Sequence, residues 1–195
     1  DEQEVLLIFD EIQSGLGRTG RMFAWQHENA RPDGMVLGKA LSGGLYPVSA
    51  FVADDALMDV FHPGDHGSTF GGNPLACRAA SVVLEILERD HLVDRAARLG
   101  KQLQAGFRQA LARQPGVRDI RGLGLMIGIE LDRPCAELVG QALEAGLLIN
   151  VTAERVIRLL PPLILEAGQV ELLVDQLARL IATFLATPAP KGAVG

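Results

Sequence analysis

Two charged residues stand where apolar segments end, and both side chains could take part in chemistry. Asp10 directly follows the apolar run 5–9, and Lys39 follows the shorter run 35–37. If these runs are strands of an open α/β sheet, both residues lie at the carboxyl edge where ligands bind. The Asp10 carboxylate could hold a protonated ring nitrogen through a charge-assisted hydrogen bond. The alternative is a carboxylate that only caps a helix or a loop.

Lys39 could act as a nucleophile. A lysine side chain has an ordinary pKa of about 10.4, and burial lowers that pKa because it disfavours the ammonium form. The neutral amine can then attack an aldehyde and form a Schiff base. The apolar neighbours Leu37 and Leu41 predict such a buried setting. The alternative is a surface lysine at a helix end.

A third segment, residues 66–74, contains hydroxyl side chains and glycines and ends at Pro74. Proline suits the first turn of a helix, and hydroxyls and backbone N–H groups before a helix N-terminus suit an anion such as phosphate. An ordinary polar loop has the same composition, so both interpretations stay open.

The apolar pattern predicts the elements that must position these residues. An α/β part, residues 1–88, has predicted strands at 5–9, 35–37 and 48–52 and a helix from Pro74. A smaller α+β domain, residues 89–188, has predicted helices at 92–111, 136–144 and 169–185 and predicted strands within 120–131 and at 147–151 and 156–160. Residues 189–195 are a predicted disordered tail. The run 5–9 predicts a strand buried on both faces, so we expect the chain to start in the middle of a larger domain.

Composition narrows the partners. The net charge is −6, and no basic patch for nucleic acid occurs. No apolar run reaches the roughly 18 residues of a membrane span, and no signal peptide begins the chain. The two cysteines, Cys77 and Cys135, lack CxxC spacing. We therefore expect a cytoplasmic protein with a small-molecule partner.

Two other classes of site lack support. Gly15, Gly17 and Gly20 match the GxGxxG dinucleotide fingerprint, but a lone match is weak. Asp10-Glu11-Ile12-Gln13 intervene between the strand and the first glycine. The next strand ends in Gly-Lys, where a dinucleotide-binding fold needs an acid to bind the ribose hydroxyl. The histidines show no metal-ligand spacing, so no metal site is predicted.

Three motifs together resemble the class III (subgroup II) aminotransferases, which depend on pyridoxal 5′-phosphate (PLP). They are LIFDEIQSGLGRTG at 7–20, LGKAL at 37–41 and GSTFGGNPLA at 67–76. The resemblance covers nearly the whole chain. It implies the C-terminal part of the large domain of fold type I (aspartate-aminotransferase-like) PLP-dependent transferases, followed by a small α+β domain. The absent N-terminal half would contain further cofactor and substrate groups.

The resemblance also implies roles. Asp10 would pair with the pyridine nitrogen and Gln13 would lie near the phenolic oxygen, with Glu11 and Ile12 in the same cofactor-binding stretch. Lys39 would form the Schiff base and then act as acid and base. Thr69 would bind the PLP phosphate of the neighbouring subunit in a homodimer, with Ser68 beside it at the substrate.

Arg158, in the run VIRLLPP at 156–162, resembles an arginine with which the family binds a substrate carboxylate, a task that suits a guanidinium. Its alternative is a structural ion pair. Within the family the motifs most resemble the acetylornithine aminotransferases of arginine biosynthesis, which use 2-oxoglutarate as amino acceptor. Ornithine, succinylornithine and 4-aminobutyrate aminotransferases are close alternatives. An aminomutase or racemase, and a non-catalytic fragment that pairs with a full-length subunit, stay open. We expect the chain alone to have little or no transaminase activity.

Overall fold

The computed structural model describes residues 5–28 and 30–187, so the predicted tail at 189–195 lies outside the described residues. The chain divides into two compact units, Asp1–Ala96 and Ala97–Gly195. Among the described residues, no helix has both the length and the apolar character that a membrane crossing requires.

The first unit is built on a three-stranded sheet in the order β1-β2-β3. Its strands are β1 (Ile8–Asp10), β2 (Gly34–Leu37) and β3 (Ala50–Ala53), and its α-helices are α1 (Asp55–Met58) and α2 (Pro74–Arg89). β1 runs parallel to β2, and β3 runs antiparallel to β2. Short 3-10 helices at Ala24–His27 and Lys39–Ser42 follow β1 and β2.

The prediction that residues 5–9 form a strand buried on both faces is wrong for this chain. The strand begins at Ile8, and Val5, Leu6, Leu7 and Ile8 are 73%, 56%, 41% and 50% exposed. Exposures of this size mean that no described element covers these side chains on the faces of the sheet. Strand β1 also lies at the edge of the sheet, where β2 is its one partner among the described strands. Leu7 is nevertheless fixed, because its N–H donates to the Asp33 carboxylate, 26 residues further along, over 2.7 Å.

The second unit contains a four-stranded antiparallel sheet in the order β4-β5-β7-β6. Its strands are β4 (Val117–Leu123), β5 (Met126–Leu131), β6 (Asn150–Thr152) and β7 (Val156–Leu159). Its helices are α3 (Leu92–Ala110, of which residues from 97 onward belong to this unit), α4 (Leu138–Glu144) and α5 (Ala167–Ala186).

Alternation along the strands forms the core of this second unit. In β5, Ile127, Ile129 and Leu131 are at most 1% exposed, while the residues between them are half-buried. This is the period of two that puts successive side chains on opposite faces of a sheet. The largest fully buried helical side chains are Leu99, Leu103 and Phe107 of α3, Leu138 of α4, and Leu177 and Ile181 of α5.

Helix α3 approaches the turn between β4 and β5 very closely. A Cβ atom placed on Gly100 would lie 1.9 Å from the carbonyl oxygen of Gly124. Only a residue without a side chain allows the two backbones to meet in this way.

Candidate functional site

Asp10 and Lys39 lie at the same edge of the first sheet. Asp10 is paired with Val36 in the parallel register, and Lys39 stands two positions after the last residue of β2. The backbone N–H of Glu11 donates to the carbonyl of Val36 over 3.0 Å, so the chain after β1 stays attached to β2. The carboxyl ends of two adjacent parallel strands therefore bring Asp10 and Lys39 to one edge of the sheet, the edge at which ligands bind in α/β proteins.

Lys39 has a backbone conformation that a side chain disfavours. Its φ is +45°, and the left-handed region costs roughly 1–2 kcal/mol for a residue with a Cβ. The residue begins the 3-10 helix that ends at Ser42 and is capped by Gly43, whose φ is +63°. Strained conformations of this kind cluster at functional sites, where surrounding structure holds them in place.

The predicted burial of Lys39 is wrong for this chain, because its side chain is exposed. Its apolar neighbours Leu37 and Leu41 occupy the buried positions, at 7% and 5% exposure. Lys39 lies between them, where the strand has ended and the 3-10 helix begins. Within the described part of the chain, no residue forms a hydrogen bond or an ion pair with its ammonium group.

Lys39 lines an open cavity of about 850 Å³, a size within the usual range of ligand sites. The cavity walls come from three parts of the first unit, the 3-10 helix of Lys39, the following loop and the segment that leads into α2. The lining residues are Lys39, Ser42, Tyr46, Pro47, Val48, Ser49, Phe70, Gly71, Gly72, Asn73 and Ala76.

The turn after β1 contains the other predicted cofactor residues. Asp10 is exposed, and its Oδ1 accepts a hydrogen bond from the Ile12 N–H over 2.9 Å. The side chain of Ile12 lies against Gly38, where an added Cβ would be 3.6 Å from it. Gln13 is half-buried in the same turn. Ile12 thus connects the Asp10 turn to the residue that precedes Lys39.

Glu11 differs from its neighbours because its carboxylate is already engaged. The side chain is 2% exposed. Oε1 accepts from the backbone N–H of Trp25 over 2.9 Å, and Oε2 accepts from the Ser14 hydroxyl over 2.6 Å. Both oxygens of this buried carboxylate therefore have donors from its own loop.

The structure divides the predicted phosphate loop into two parts. Residues 70–73 line the cavity of Lys39 in the same chain, and Asn73 caps α2 by accepting from the Ala76 N–H over 3.0 Å. Ser68 and Thr69 are exposed and are not among the lining residues. The Ser68 Oγ accepts from the Gly71 N–H over 2.9 Å, which shapes the turn that leads to the cavity wall.

Arg158 lies in β7 of the second unit, opposite Gly128 of β5 and Asn150 of β6. Directly opposed residues point to the same face of an antiparallel sheet. Its Nη2 donates to Asn150 Oδ1 over 3.3 Å, and no described residue accepts from its buried Nε. A guanidinium with unused donors suits a carboxylate ligand.

Sequence reasoning did not identify three polar side chains of the cavity. They are Ser42, Tyr46 and Ser49, all within ten positions of Lys39. The available signal was the pair Gly43-Gly44, whose positive φ values of 63° and 82° allow the tight turn that follows the 3-10 helix. Tyr46 is also the single tyrosine of the sequence.

The chain is similar to known aminotransferases over most of its length. The family described as Aminotransferase class-III matches residues 1–181. An acetylornithine aminotransferase 1 of Bordetella pertussis is 52% identical over 185 residues, which are 95% of this chain and 47% of that protein. An ornithine aminotransferase 1 of Staphylococcus aureus is 47% identical over 174 residues, 89% of this chain and 44% of that protein. The chain thus spans about half the length of the curated relatives that it matches.

Solved structures of aminotransferases also superpose closely on this chain. The ornithine aminotransferase of Toxoplasma gondii superposes with a TM-score of 0.90 at 41% identity, covering 94% of this chain and 44% of that one. An acetylornithine aminotransferase of Elizabethkingia anophelis gives a TM-score of 0.83 at 39% identity, covering 95% of this chain and 49% of that one.

Proposed function

Since the chain belongs to the class-III aminotransferase family, we propose that it takes part in PLP-dependent transamination and that Lys39 is the residue that binds the cofactor covalently. The same matches confirm the α/β fold class predicted from the sequence. One observation supports the role of Lys39 above all. Its amine has no hydrogen-bond or ion-pair partner among the described residues and lines a cavity of about 850 Å³. Asp10 is not one of the lining residues, but its strand β1 pairs in parallel with β2, the strand that leads to Lys39.

The residues of this edge fit the chemical groups of the cofactor. An amine suits its aldehyde, and the exposed Asp10 carboxylate suits a protonated ring nitrogen. The half-buried Gln13, in the same turn, could donate to the phenolic oxygen. The hydroxyls of Ser42 and Ser49 and the start of α2 give the cavity the polar character that an anionic phosphate requires.

The bound cofactor supplies an electron sink for the negative charge that develops on the substrate. The chain's own groups do the rest. Asp10 holds the ring nitrogen in its charged form. Lys39 Nζ removes a proton from the amino-bearing carbon of the donor in one half of the reaction and returns a proton to the acceptor in the other.

For the substrates, we propose N-acetylornithine as amino donor and 2-oxoglutarate as acceptor, in arginine biosynthesis. The names of the relatives at 52% and 48% identity support this choice, and ornithine is the alternative that the 47% identical relative supports. Arg158 would bind a substrate carboxylate through its unused donors, with Ser68 near the substrate.

We further propose a cytoplasmic homodimer in which Thr69 contacts the PLP phosphate in the neighbouring subunit. The exposure of Thr69 and its absence from the cavity wall of its own chain support this arrangement.

Covalent trapping tests the central claim with little ambiguity, because the sequence contains only three lysines, Lys39, Lys101 and Lys191. The chain is incubated with PLP, reduced with borohydride and digested, and the modified peptide is identified by mass spectrometry. We expect one cofactor per chain, on Lys39. The Lys39→Ala variant should lose the label, whereas Lys101→Ala, which changes an exposed lysine of α3, should keep it.

Labelling that persists in Lys39→Ala would refute the assignment. The donor is then decided by comparing kcat/KM for acetylornithine, ornithine, succinylornithine and 4-aminobutyrate in a full-length protein that contains this sequence. A preference for ornithine would overturn the proposed substrate without affecting the role of Lys39.

We also propose that the 195 residues alone transaminate weakly or not at all. The support is the exposure of Lys39 and Asp10, together with an edge strand whose apolar side chains are open to solvent. Water is thus free to enter a site whose electrostatic interactions need its exclusion. Robust turnover of acetylornithine by the isolated chain would contradict this proposal.

A further inference from the structure

Glu11 is one of three buried polar or charged residues among those described, and the other two carry only a hydroxyl. A buried carboxylate is costly unless hydrogen bonds compensate it. Here the two donors are the Ser14 hydroxyl, at 2.6 Å, and the Trp25 backbone N–H, at 2.9 Å. Trp25 is 14 residues further along the chain, so this one side chain closes the loop between them.

The backbone of Glu11 is held as firmly as its side chain. Its N–H donates to Val36 of β2, and its carbonyl accepts from the Gly15 N–H, each over 3.0 Å. A Cβ on Gly15 would lie 2.8 Å from that carbonyl oxygen, so the turn requires glycine there. Four hydrogen bonds therefore join Glu11 to β2, to its own turn and to the Trp25 segment.

The two proposed cofactor ligands are the residues on either side of this anchor. Asp10 precedes Glu11 directly and caps the Ile12 N–H, and Gln13 follows two positions later. Among the described residues, neither side chain forms a hydrogen bond to the Trp25 segment, so the orientation of the turn depends on Glu11.

We propose that Glu11 is a positioning residue, which does not touch the cofactor but orients Asp10 and Gln13 toward it by tying their turn to Trp25 and Ser14. This inference rests on the proposed function, in which Asp10 and Gln13 hold the cofactor. Glu11 lies in the cofactor-binding stretch that the family resemblance implies, and here its side chain takes a positioning role in place of direct cofactor binding.

Replacement by glutamine separates geometry from charge. In Glu11→Gln the amide oxygen can accept from the Trp25 N–H, and the amide nitrogen can donate to the Ser14 oxygen, which has free lone pairs. Glu11→Ala removes both bonds. Thr19→Ala is the matched control, because Thr19 is also buried in this loop and its hydroxyl contacts His27 Nε2 at 3.1 Å, whereas the Glu11 carboxylate bonds to Ser14 and Trp25.

The first measurement is the affinity for PLP. Binding is monitored by the quenching of the fluorescence of Trp25, the single tryptophan of the sequence. We expect Glu11→Ala to weaken binding at least about tenfold, the usual scale for losing a group that orients a ligating side chain. Glu11→Gln and Thr19→Ala should stay within about threefold of the wild type on the same scale. Equal weakening in Gln and Ala would show direct charge contact, and equal weakening in Thr19→Ala would show general loosening. Either result overturns the proposal.

The second measurement does not need the cofactor. Amide hydrogen exchange of Ile12, whose N–H is bound by Asp10, reports whether the Asp10 turn keeps its geometry. We expect faster exchange at Ile12 and Trp25 in Glu11→Ala and wild-type exchange in Glu11→Gln. Unchanged exchange at Ile12 in folded Glu11→Ala refutes positioning by Glu11. Failure of the wild type to bind PLP would refute the proposed function instead, and the exchange experiment would still decide the role of Glu11.

Discussion

Substitution of Gly100 tests the close approach of α3 to the Gly124 turn in the second unit. In a helix interior, glycine to alanine normally stabilises by about 0.5–1 kcal/mol. At Gly100 the new Cβ would lie 1.9 Å from the Gly124 oxygen, where real Cβ atoms essentially never come within 3.0 Å. Relief requires two backbones to separate by about 1 Å, and overpacking of this kind costs about 3 kcal/mol or more. We therefore expect Gly100→Ala to destabilise strongly.

Two other glycines provide the controls in the same unit. Gly140, in α4, has no atom within 4 Å of an added Cβ, so Gly140→Ala should stabilise by up to about 1 kcal/mol. Gly106 is intermediate, because its Cβ would meet only the Val174 side chain, at 3.0 Å.

Urea unfolding followed by circular dichroism measures the difference. With a slope of about 2 kcal/mol per molar, a gap of about 4 kcal/mol between Gly100→Ala and Gly140→Ala separates their midpoints by about 2 M. A Gly100→Ala midpoint at or above that of the wild type would refute the reasoning, because it would mean that α3 can move away from Gly124 at no cost.

Two further predictions concern a helix cap and a surface ion pair. Asn73→Ala should lower the free energy of unfolding by about 1 kcal/mol because it removes the cap on Ala76 N–H, whereas Asn73→Asp should retain most of it in thermal denaturation. The hydrogen bond from Arg133 lowers the pKa of Asp132, so the pair stabilises above the ordinary aspartate pKa of about 3.9 and this stability is lost as pH falls through the lower folded-state pKa. Asp132→Asn should therefore cost at most about 1 kcal/mol at pH 7, since both side chains are partly exposed, and progressively less as the pH falls through the folded-state pKa of Asp132. A pH-independent difference would contradict the linkage.

The sequence predicted those parts of the fold that depend on local signals. Helix α2 starts at Pro74 as expected, because a proline and an asparagine cap act within one turn. The strand β5 follows the alternation of its apolar residues. Asp10 and Lys39 were predictable at strand ends because apolar runs end directly before or near them.

Burial and long-range hydrogen bonding could not be predicted in the same way. The exposure of residues 5–8 depends on which elements pack over the faces of β1, and the exposure of Lys39 depends on the 3-10 helix that begins there. The carboxylate of Glu11 finds its partner 14 residues away, and no local pattern indicates that contact. The roles of Ser68, Thr69 and Arg158 stay predictions.

The parallel pairing of β1 with β2 has a consequence for folding kinetics. Leu7 and Asp33, at the start of that pairing, are 26 residues apart, and the chain must close this loop before any contact compensates the lost entropy. Non-local parallel contacts of this kind form slowly. This pairing brings Asp10 and Lys39 to one edge of the sheet, so a ligand that needs both residues binds only molecules in which the pairing has formed. At a free concentration of a hundred times its Kd, such a ligand raises the free energy of unfolding by about 2.7 kcal/mol. Ligand binding therefore favours the correctly folded chain over chains in which β1 and β2 have not paired.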